Sequence, residues 1–249
     1  VNYDFSVPGH AFVGLKNFSQ VVHDPAARWS VVVTAVLAAA GVTVEFLLGL
    51  ALALTLVRNI RFRGIIMAII IIPLFISPVI VGQAWALLLQ RPFGPTNYIL
   101  GLIAGHDVAI DWLIRTPWNF IAITLADVWQ WTPFMFVILL AALSNMDRDQ
   151  MDAASLDGAN RLQTFRHIVL PAIFPVVLIA CLIRGLDLFR IFDAVWQLTR
   201  GGPGNRTETL SIFAYIKGFQ GFETSYIAAL VVVLALVFSV LVMAALQRV

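Results

Sequence analysis

The sequence predicts an all-α, polytopic membrane protein, and three observations carry that prediction. Hydrophobic residues make up 60% of the 249 and charged residues 12%, with a mean hydropathy of +0.90. Soluble domains run nearer half apolar and a quarter charged. Five apolar runs, at about 29–57, 64–90, 118–143, 168–198 and 224–247, are each long enough to cross roughly 30 Å of hydrocarbon. They are far longer than barrel strands, and lipid offers no partner to unpaired backbone groups, so the runs should be helices.

The composition also excludes several functions. A formal net charge of +2 with no basic run leaves no footprint for nucleic acid. The single cysteine, Cys181, lies inside an apolar run and reads as a small core side chain, not as part of a disulfide or thiolate metal site. HExxH, GxSxG and paired acidic clusters are absent, and His10, His23, His106 and His167 fall in loops or span ends, which argues against a membrane-embedded enzyme. There is no GxxxxGK[ST] phosphate loop, so any ATP hydrolysis belongs to another subunit. No metal or cofactor is expected on this chain.

Taken in order, residues 1–28 form an extracytoplasmic segment without a signal-peptide pattern, and the start at Val1 predicts sequence upstream, including a further span. Residues 29–249 form the membrane domain. The first run carries Glu45 near its middle, where a carboxylate needs hydrogen bonds from another helix. The connection RNIRFR (58–63) packs three arginines into six residues and sets the orientation, because short cytoplasmic loops collect Lys and Arg. Alternation then places 144–167 and 247–249 in the cytoplasm as well. Those pieces hold seven Lys/Arg in 33 residues, against seven in 80 for 1–28, 91–117 and 199–223. Pro73 and Pro78, Pro133, and Pro171 and Pro175 predict kinks in the second, third and fourth runs. RPFGPTNY (91–98) and LTRGGPGNRTE (198–208) are turn sequences, and Trp29, Trp85, Trp112, Trp118 and Trp196 fall where interface anchors settle.

The loop 144–167 is three times longer than a plain connection and helix-forming. Asn145 and Asp147 cap a first short helix, Asp157-Gly158 breaks it, and a second runs from about Ala159 to His167. Ala153, Ala154 and Ala159 permit close approach, while Leu156, Leu162 and Phe165 supply anchors. A solvated connection and a helix inserted into a partner's groove both remain open on this pattern; the length favours the partner.

The run DAASLDGANRLQTFRHIVLP resembles the cytoplasmic loop of permease subunits in binding-protein-dependent ABC importers. The matching positions are Asp152, Ala153, Ala154, Asp157, Gly158, Ala159, Phe165, Ile168, Leu170 and Pro171, with Asp152 where the family usually carries Glu. FVGLKNF (12–18), LGLALAL (48–54), WQWTPFMFVILLAAL (129–143) and LTRGGPGNRTETL (198–210) are similar to the carbohydrate branch, of maltose, trehalose or glycerol-phosphate type. The resemblance implies a type I ABC importer transmembrane domain in a bacterial or archaeal cytoplasmic membrane. It implies a second permease chain, two copies of a cytoplasmic ATPase that uses ATP and Mg, and an extracytoplasmic solute-binding protein. It also makes Asp152, Ala153, Ala154, Leu156, Asp157, Gly158, Ala159 and Phe165 the ATPase-docking residues.

Three places inside the spans are candidates for the solute path. Asp127, Gln130, Trp131 and Phe134 share one helix face at i, i+3, i+4 and i+7, offering a carboxylate, an amide and two rings to a sugar. A polar contact between helices explains the same stripe, and the resemblance tips the balance toward solute. Arg184, Asp187, Arg190 and Asp193 alternate in sign every three residues, predicting internal pairing along one helix, with Asp187 the most exposed candidate for solute contact. Gln83, beside the proline-kinked stretch, is a further candidate. The stripe suits a neutral sugar, while Arg184 and Arg190 keep a phosphate ester open. The competing function is an ion-coupled secondary transporter or channel, which calls for inverted repeats that the two halves do not display.

Overall fold

The computed structural model describes residues 13–246 apart from 59, 92, 148, 149, 151–153 and 155; the side chains of 241, 242 and 244–246 also fall outside the described set. Asp152 and Ala153, expected to begin the loop's contact surface, lie outside the described residues. Among those described, every regular element is helical. In chain order they are α1 Lys16–His23, α2 Pro25–Leu56, α3 Arg63–Ile71, α4 Pro78–Leu88, α5 Pro95–Ala104 and α6 Trp118–Ser144. They continue with α7 Arg161–Thr164, α8 Leu170–Leu188, α9 Asp193–Leu198, α10 Leu210–Tyr215 and α11 Thr224–Leu246. A 3₁₀ turn spans Ile72–Phe75, and π turns span Phe165–Val169 and Ile216–Gln220.

Helix α2, helix α6 and the continuous stretch Arg161–Leu188 are long and apolar enough to cross a membrane. The run expected at 64–90 as one span is instead two helices, Arg63–Phe75 and Pro78–Leu88, bent by 97°. Pro73 removes an amide from the ladder, the backbone turns extended at Ile76 with ψ 136°, and Pro78 disfavours a helical conformation at Ser77 before it. Pro133 and Pro175, also expected to kink, lie inside helices that continue through them. The run expected at 168–198 likewise divides. Helix α8 stops at Leu188, the Arg190 and Ile191 amides fall back on the Asp187 and Leu188 carbonyls, and α9 starts afresh at Asp193.

The chain packs as two compact units. One comprises Val1–Ala38, Pro78–Ala126 and Asp187–Val249, the other Ala39–Ser77 and Asp127–Leu186. In the second, Leu50, Ala53 and Leu56 of α2 pack on Phe136, Leu139, Leu140 and Leu143 of α6 and on Val169 and Ile173. Gly49 allows that approach: a Cβ there would stand 2.7 Å from the Met135 Cβ and 2.9 Å from the Phe136 backbone nitrogen. Small residues are how helices close on one another where lipid is as apolar as a leucine.

The first unit has two cores. One joins Val33 and Leu37 to Leu89, Trp112, Ile123, Val195 and Ile212; the other joins Val21 and Ala27 to Leu210, Phe213, Tyr226 and Leu230. Trp112, expected at the interface, is buried here, with its indole N–H donating to the Asn97 side-chain oxygen at 2.9 Å. A buried tryptophan needs such a partner, and Asn97 supplies it from α5. At the start of α2 the Tyr226 hydroxyl donates to Asp24 at 2.8 Å, and the Ala26 amide donates to the other carboxylate oxygen, also at 2.8 Å. Burial tends to raise the Asp24 pKa. Hydrogen bonds from Tyr226, Ala26 and Ala27, with the charge of Lys217, outweigh it and hold the carboxyl below its ordinary 3.8.

Two outcomes test this packing. Gly49→Val is expected to cost about 1–3 kcal/mol by forcing α2 and α6 apart, read as a lower melting temperature of the purified protein, whereas Gly105→Ala, where a Cβ would meet open space although φ is +72°, is expected to cost less. Because the folded pKa of Asp24 is depressed, its contribution is present above the ordinary value of 3.8 and is lost as pH falls through the folded one. Tyr226→Phe should therefore lose about 1 kcal/mol at neutral pH, with the difference from wild type shrinking below the ordinary carboxylate pKa in a pH series of melting curves.

Candidate functional site

The polar centre of the second unit is a cluster of three charges from three helices. Arg184 of α8 directs its guanidinium at Glu45 of α2, with Nε donating to Oε2 and Nη2 to Oε1, both at 2.7 Å. Nη2 also donates to the Asp127 carboxylate of α6 at 2.9 Å. The guanidinium carbon lies 4.7 Å from the centroid of the Trp131 ring, one turn beyond Asp127 on the same helix. Arg184, Glu45 and Asp127 are 1%, 0% and 6% exposed.

The physical chemistry of the cluster is unusual for a membrane span. Three formal charges leave it with a net of −1, in a region where an isolated ion is costly. A planar guanidinium suits this task because it presents a rigid fork to a carboxylate and stacks on an aromatic face. Such burial rarely adds stability compared with an apolar replacement. Arranged this way, the cluster can exchange hydrogen bonds with a polar, hydroxyl-rich molecule, and the Trp131 ring can cover that molecule's apolar face. Among the described residues no three His, Cys, Asp or Glu side chains group as a metal site.

The expected stripe on α6 therefore separates into parts with different tasks. Asp127 and Trp131 join Arg184, and Phe134 lies on the same unit with its ring partly exposed. Gln130 is buried and its amide donates to the Ile76 carbonyl at 2.8 Å. That carbonyl belongs to the break between the 3₁₀ turn and α4, where the helix ladder no longer serves it. Gln130 is thus a support for the bend, not a free hydrogen-bonding group in the stripe. Gln83 is exposed on α4, and it and Asp187 belong to the other unit.

The charge ladder expected along the fourth run is realised only in part. Asp187 accepts from Arg190 at 2.9 Å across i, i+3, at a position where Arg190 is well exposed. Arg184 turns to carboxylates on other helices, 139 and 57 positions away in sequence. The break after Leu188 removes the helical register that would have lined up Arg190 with Asp193, which instead opens α9 as an acidic first-turn residue. Spacing along one segment carries no signal for the Glu45 partnership; its trace in the sequence is the lone carboxylate at the middle of the first run, which needs a donor from another helix.

The loop after α6 forms the other feature of this unit. Gly158 holds φ +77°, a left-handed conformation that few side chains tolerate. Asn160 and Gln163 then make a reciprocal capping box, Gln163 N–H to Asn160 Oδ1 at 2.9 Å and Asn160 N–H to Gln163 Oε1 at 2.8 Å. Ala154, Asp157 and Ala159 line an open groove of about 450 Å³ with Gln163 and His167. Leu156 is 88% exposed and Leu162 also points outward. Phe165, expected among the docking side chains, packs instead against the apolar core of its own unit.

Comparison with known proteins agrees with this architecture. The family of binding-protein-dependent transport system inner membrane components matches residues 45–249. A probable ABC transporter permease, y4oQ of Sinorhizobium fredii, is 39% identical over 219 residues, covering 87% of this chain and 70% of the relative. The trehalose/maltose transport system permease MalF of Thermococcus litoralis is 36% identical over 209 residues, covering 84% and 70%. A bacterial ABC transporter involved in import of the acidic polysaccharide alginate superposes with a TM-score of 0.81 at 23% identity, over 96% of this chain and 84% of that one.

The cluster makes a direct prediction. Arg184→Met leaves Glu45 and Asp127 as uncompensated buried carboxylates and should cost about 3–5 kcal/mol, measured as lost thermal stability. The triple change Arg184→Met, Glu45→Gln and Asp127→Asn should recover most of that loss.

With a fold shared with ABC importer transmembrane subunits and a family match over most of its length, the chain belongs to the binding-protein-dependent transport system inner membrane components.

Proposed function

We propose that this chain is the permease subunit of an ABC importer and carries a neutral sugar, of the disaccharide class, past the Arg184–Glu45–Asp127 cluster. The observation that carries the reading is the pairing of that buried cluster with the Trp131 face. A sugar presents hydroxyls that both donate and accept, together with an apolar ring face, and this site offers a cation, two carboxylates and an indole. Because each carboxylate already serves Arg184, solute hydroxyls can exchange into the network without leaving a charge bare. The relatives named for trehalose and maltose transport support a disaccharide. A phosphate ester fits less well, since the Arg184 fork is already committed to Glu45.

In this reading the arginine-rich turn at 58–63 and the loop 144–167 face the cytoplasm. A separate ATPase subunit docks on the groove beside Gly158, with exposed Leu156 and Leu162 as its apolar contacts. Closure of two ATPase copies on ATP and Mg moves the docked loops and rocks the spans of two permease chains between outward and inward access. An extracytoplasmic binding protein delivers the sugar. A bacterial alginate ABC transporter has been solved in complex with an alginate pentasaccharide-bound periplasmic protein, which supports a partner of that kind here.

Two substitutions separate the site from the coupling surface. Asp127→Asn is expected to reduce sugar uptake by reconstituted vesicles about tenfold or more while the ATPase subunit still co-purifies. Loss of assembly would make Asp127 a structural residue. Gly158→Val, at φ +77°, should preserve the spans but break the link between ATP hydrolysis and uptake; unchanged uptake per ATP would remove the docking role from this loop.

A further inference from the structure

The turn that joins α2 to α3 carries a charge excess that the chain does not answer. Arg58, Arg61 and Arg63 stand within six residues, and no Asp or Glu occurs between Glu45 and Asp107. Among the described residues none of the three arginine side chains forms an ion pair or a hydrogen bond. Arg58 and Arg61 are exposed, while Arg63 is half-covered, with its Nε–H enclosed and no acceptor in reach. Arg61 lays its guanidinium over the Phe62 ring, 5.3 Å from the centroid. Stacking of that kind uses the face of the guanidinium and leaves the N–H groups at its edge to bond. The turn itself is firmly built. Phe62 holds φ +63°, a left-handed conformation strained for an aromatic residue, and its carbonyl accepts from the Ile65 and Ile66 amides at 3.0 and 3.1 Å.

Helix α3 continues the turn as a two-faced element. Ile66, Met67 and Ile70 pack on the core formed by α2 and α6. On the other side Phe62, Ile65, Ile69 and Ile72 are each more than half exposed and recur every three or four residues. That stripe runs about 15 Å along the helix at 1.5 Å per residue. An apolar stripe alone is what any span shows to lipid, and arginines alone are what any short cytoplasmic turn collects. Here the two meet end to end on one element, with three positive charges that no carboxylate shares at the point where the stripe begins. Positive head and apolar tail, in that order, are the complement of a lipid with an anionic headgroup.

We propose that this end of α3 is a binding site for one anionic phospholipid. The headgroup phosphate takes N–H donors from Arg58 and Arg61 and offsets the charge of Arg63, and one acyl chain lies along Phe62, Ile65, Ile69 and Ile72. A net negative headgroup is favoured over a zwitterionic one, because a zwitterion brings its own cation to a turn that already holds three. The leaflet is the cytoplasmic one in the reading above. The site itself needs only that the turn meet a membrane surface, and it does not depend on which solute the importer carries.

The test uses the purified complex of permease and ATPase subunits. The probe is phosphatidylglycerol with a photoreactive group in one acyl chain, and the readout is the cross-linked peptide identified by mass spectrometry. Wild type should be labelled saturably within Phe62–Ile72, and unlabelled phosphatidylglycerol should compete at least tenfold better than phosphatidylcholine. Arg58→Gln and Arg61→Gln should each raise the probe concentration for half-maximal labelling about fivefold, and the two together about twentyfold. Arg61→Lys, which keeps the charge, should raise it about twofold or less. If the double variant fails to assemble by gel filtration, the single changes carry the test. Equal competition by phosphatidylcholine makes the stripe ordinary lipid-facing surface and overturns the site. Competition by inorganic phosphate as strong as by phosphatidylglycerol makes it a free-anion site, which also overturns it. Labelling that appears only after the ATPase subunit is stripped away gives this surface to the partner and overturns it too. Labelling as expected in a complex that takes up neither maltose nor trehalose supports the site and counts only against the proposed solute class.

Discussion

Arg184 carries a full positive charge at a depth where lipid has nothing to offer it, and much of the second unit is arranged around that fact. Its fork is met by Glu45 on α2 and by Asp127 on α6, and its plane lies over Trp131. One side chain thereby ties three long helices together at a single point. The same pairing that makes the arginine tolerable also fixes which carboxylates face the interior. Helices that only exclude lipid have no use for such a cluster, since well-packed apolar side chains of the same volume would serve stability at least as well. In the proposed function its task is solute chemistry.

The rest of the unit supplies rigid support for that point. Gly49 lets α2 close on α6, and the Leu and Phe side chains beyond it fill the seam. Gln130, one turn from Asp127 on α6, is engaged with the carbonyl left open where the second run bends. The bend and the charged cluster therefore share a helix: a shift of α6 that disturbs Asp127 also strains the Gln130 contact. The capped turn at Gly158 to Gln163 leads directly into the stretch that ends in α8 and carries Arg184. In the proposed mechanism, force applied to the loop by an ATPase reaches the cluster along one continuous helical stretch.

Much of the fold was legible from composition and run length. Hydrophobic runs of twenty residues leave few alternatives to helices, and prolines at 73 and 78 announced a disturbance at the place where the bend occurs. What escaped was its size, since a single proline pair is compatible with a mild kink or with the 97° turn observed. The division of the fourth run at Leu188 escaped as well, because Phe, Arg and Ile are as permissible in a helix as beyond its end. Of the site, Asp127, Trp131 and Arg184 were each visible as polar groups at costly depth. Their meeting was not, because the partner of Arg184 lies 139 positions away and local spacing favoured Asp187. Gln130 looked like a ligand for the same reason: a one-dimensional stripe does not distinguish an amide that faces a cavity from one that faces a broken backbone.

The proposed transport route requires that solute meet the charged cluster. The decisive measurement is a structure of the assembled importer trapped with maltose or trehalose inside its membrane cavity. The expected result is a sugar ring in van der Waals contact, about 4 Å, with the Trp131 face, and a sugar hydroxyl hydrogen-bonded to the Asp127 carboxylate or the Arg184 guanidinium. A sugar held elsewhere in the cavity, with Arg184, Glu45, Asp127 and Trp131 untouched and arranged as they are without it, would contradict that route and leave the cluster as a structural tie between three helices.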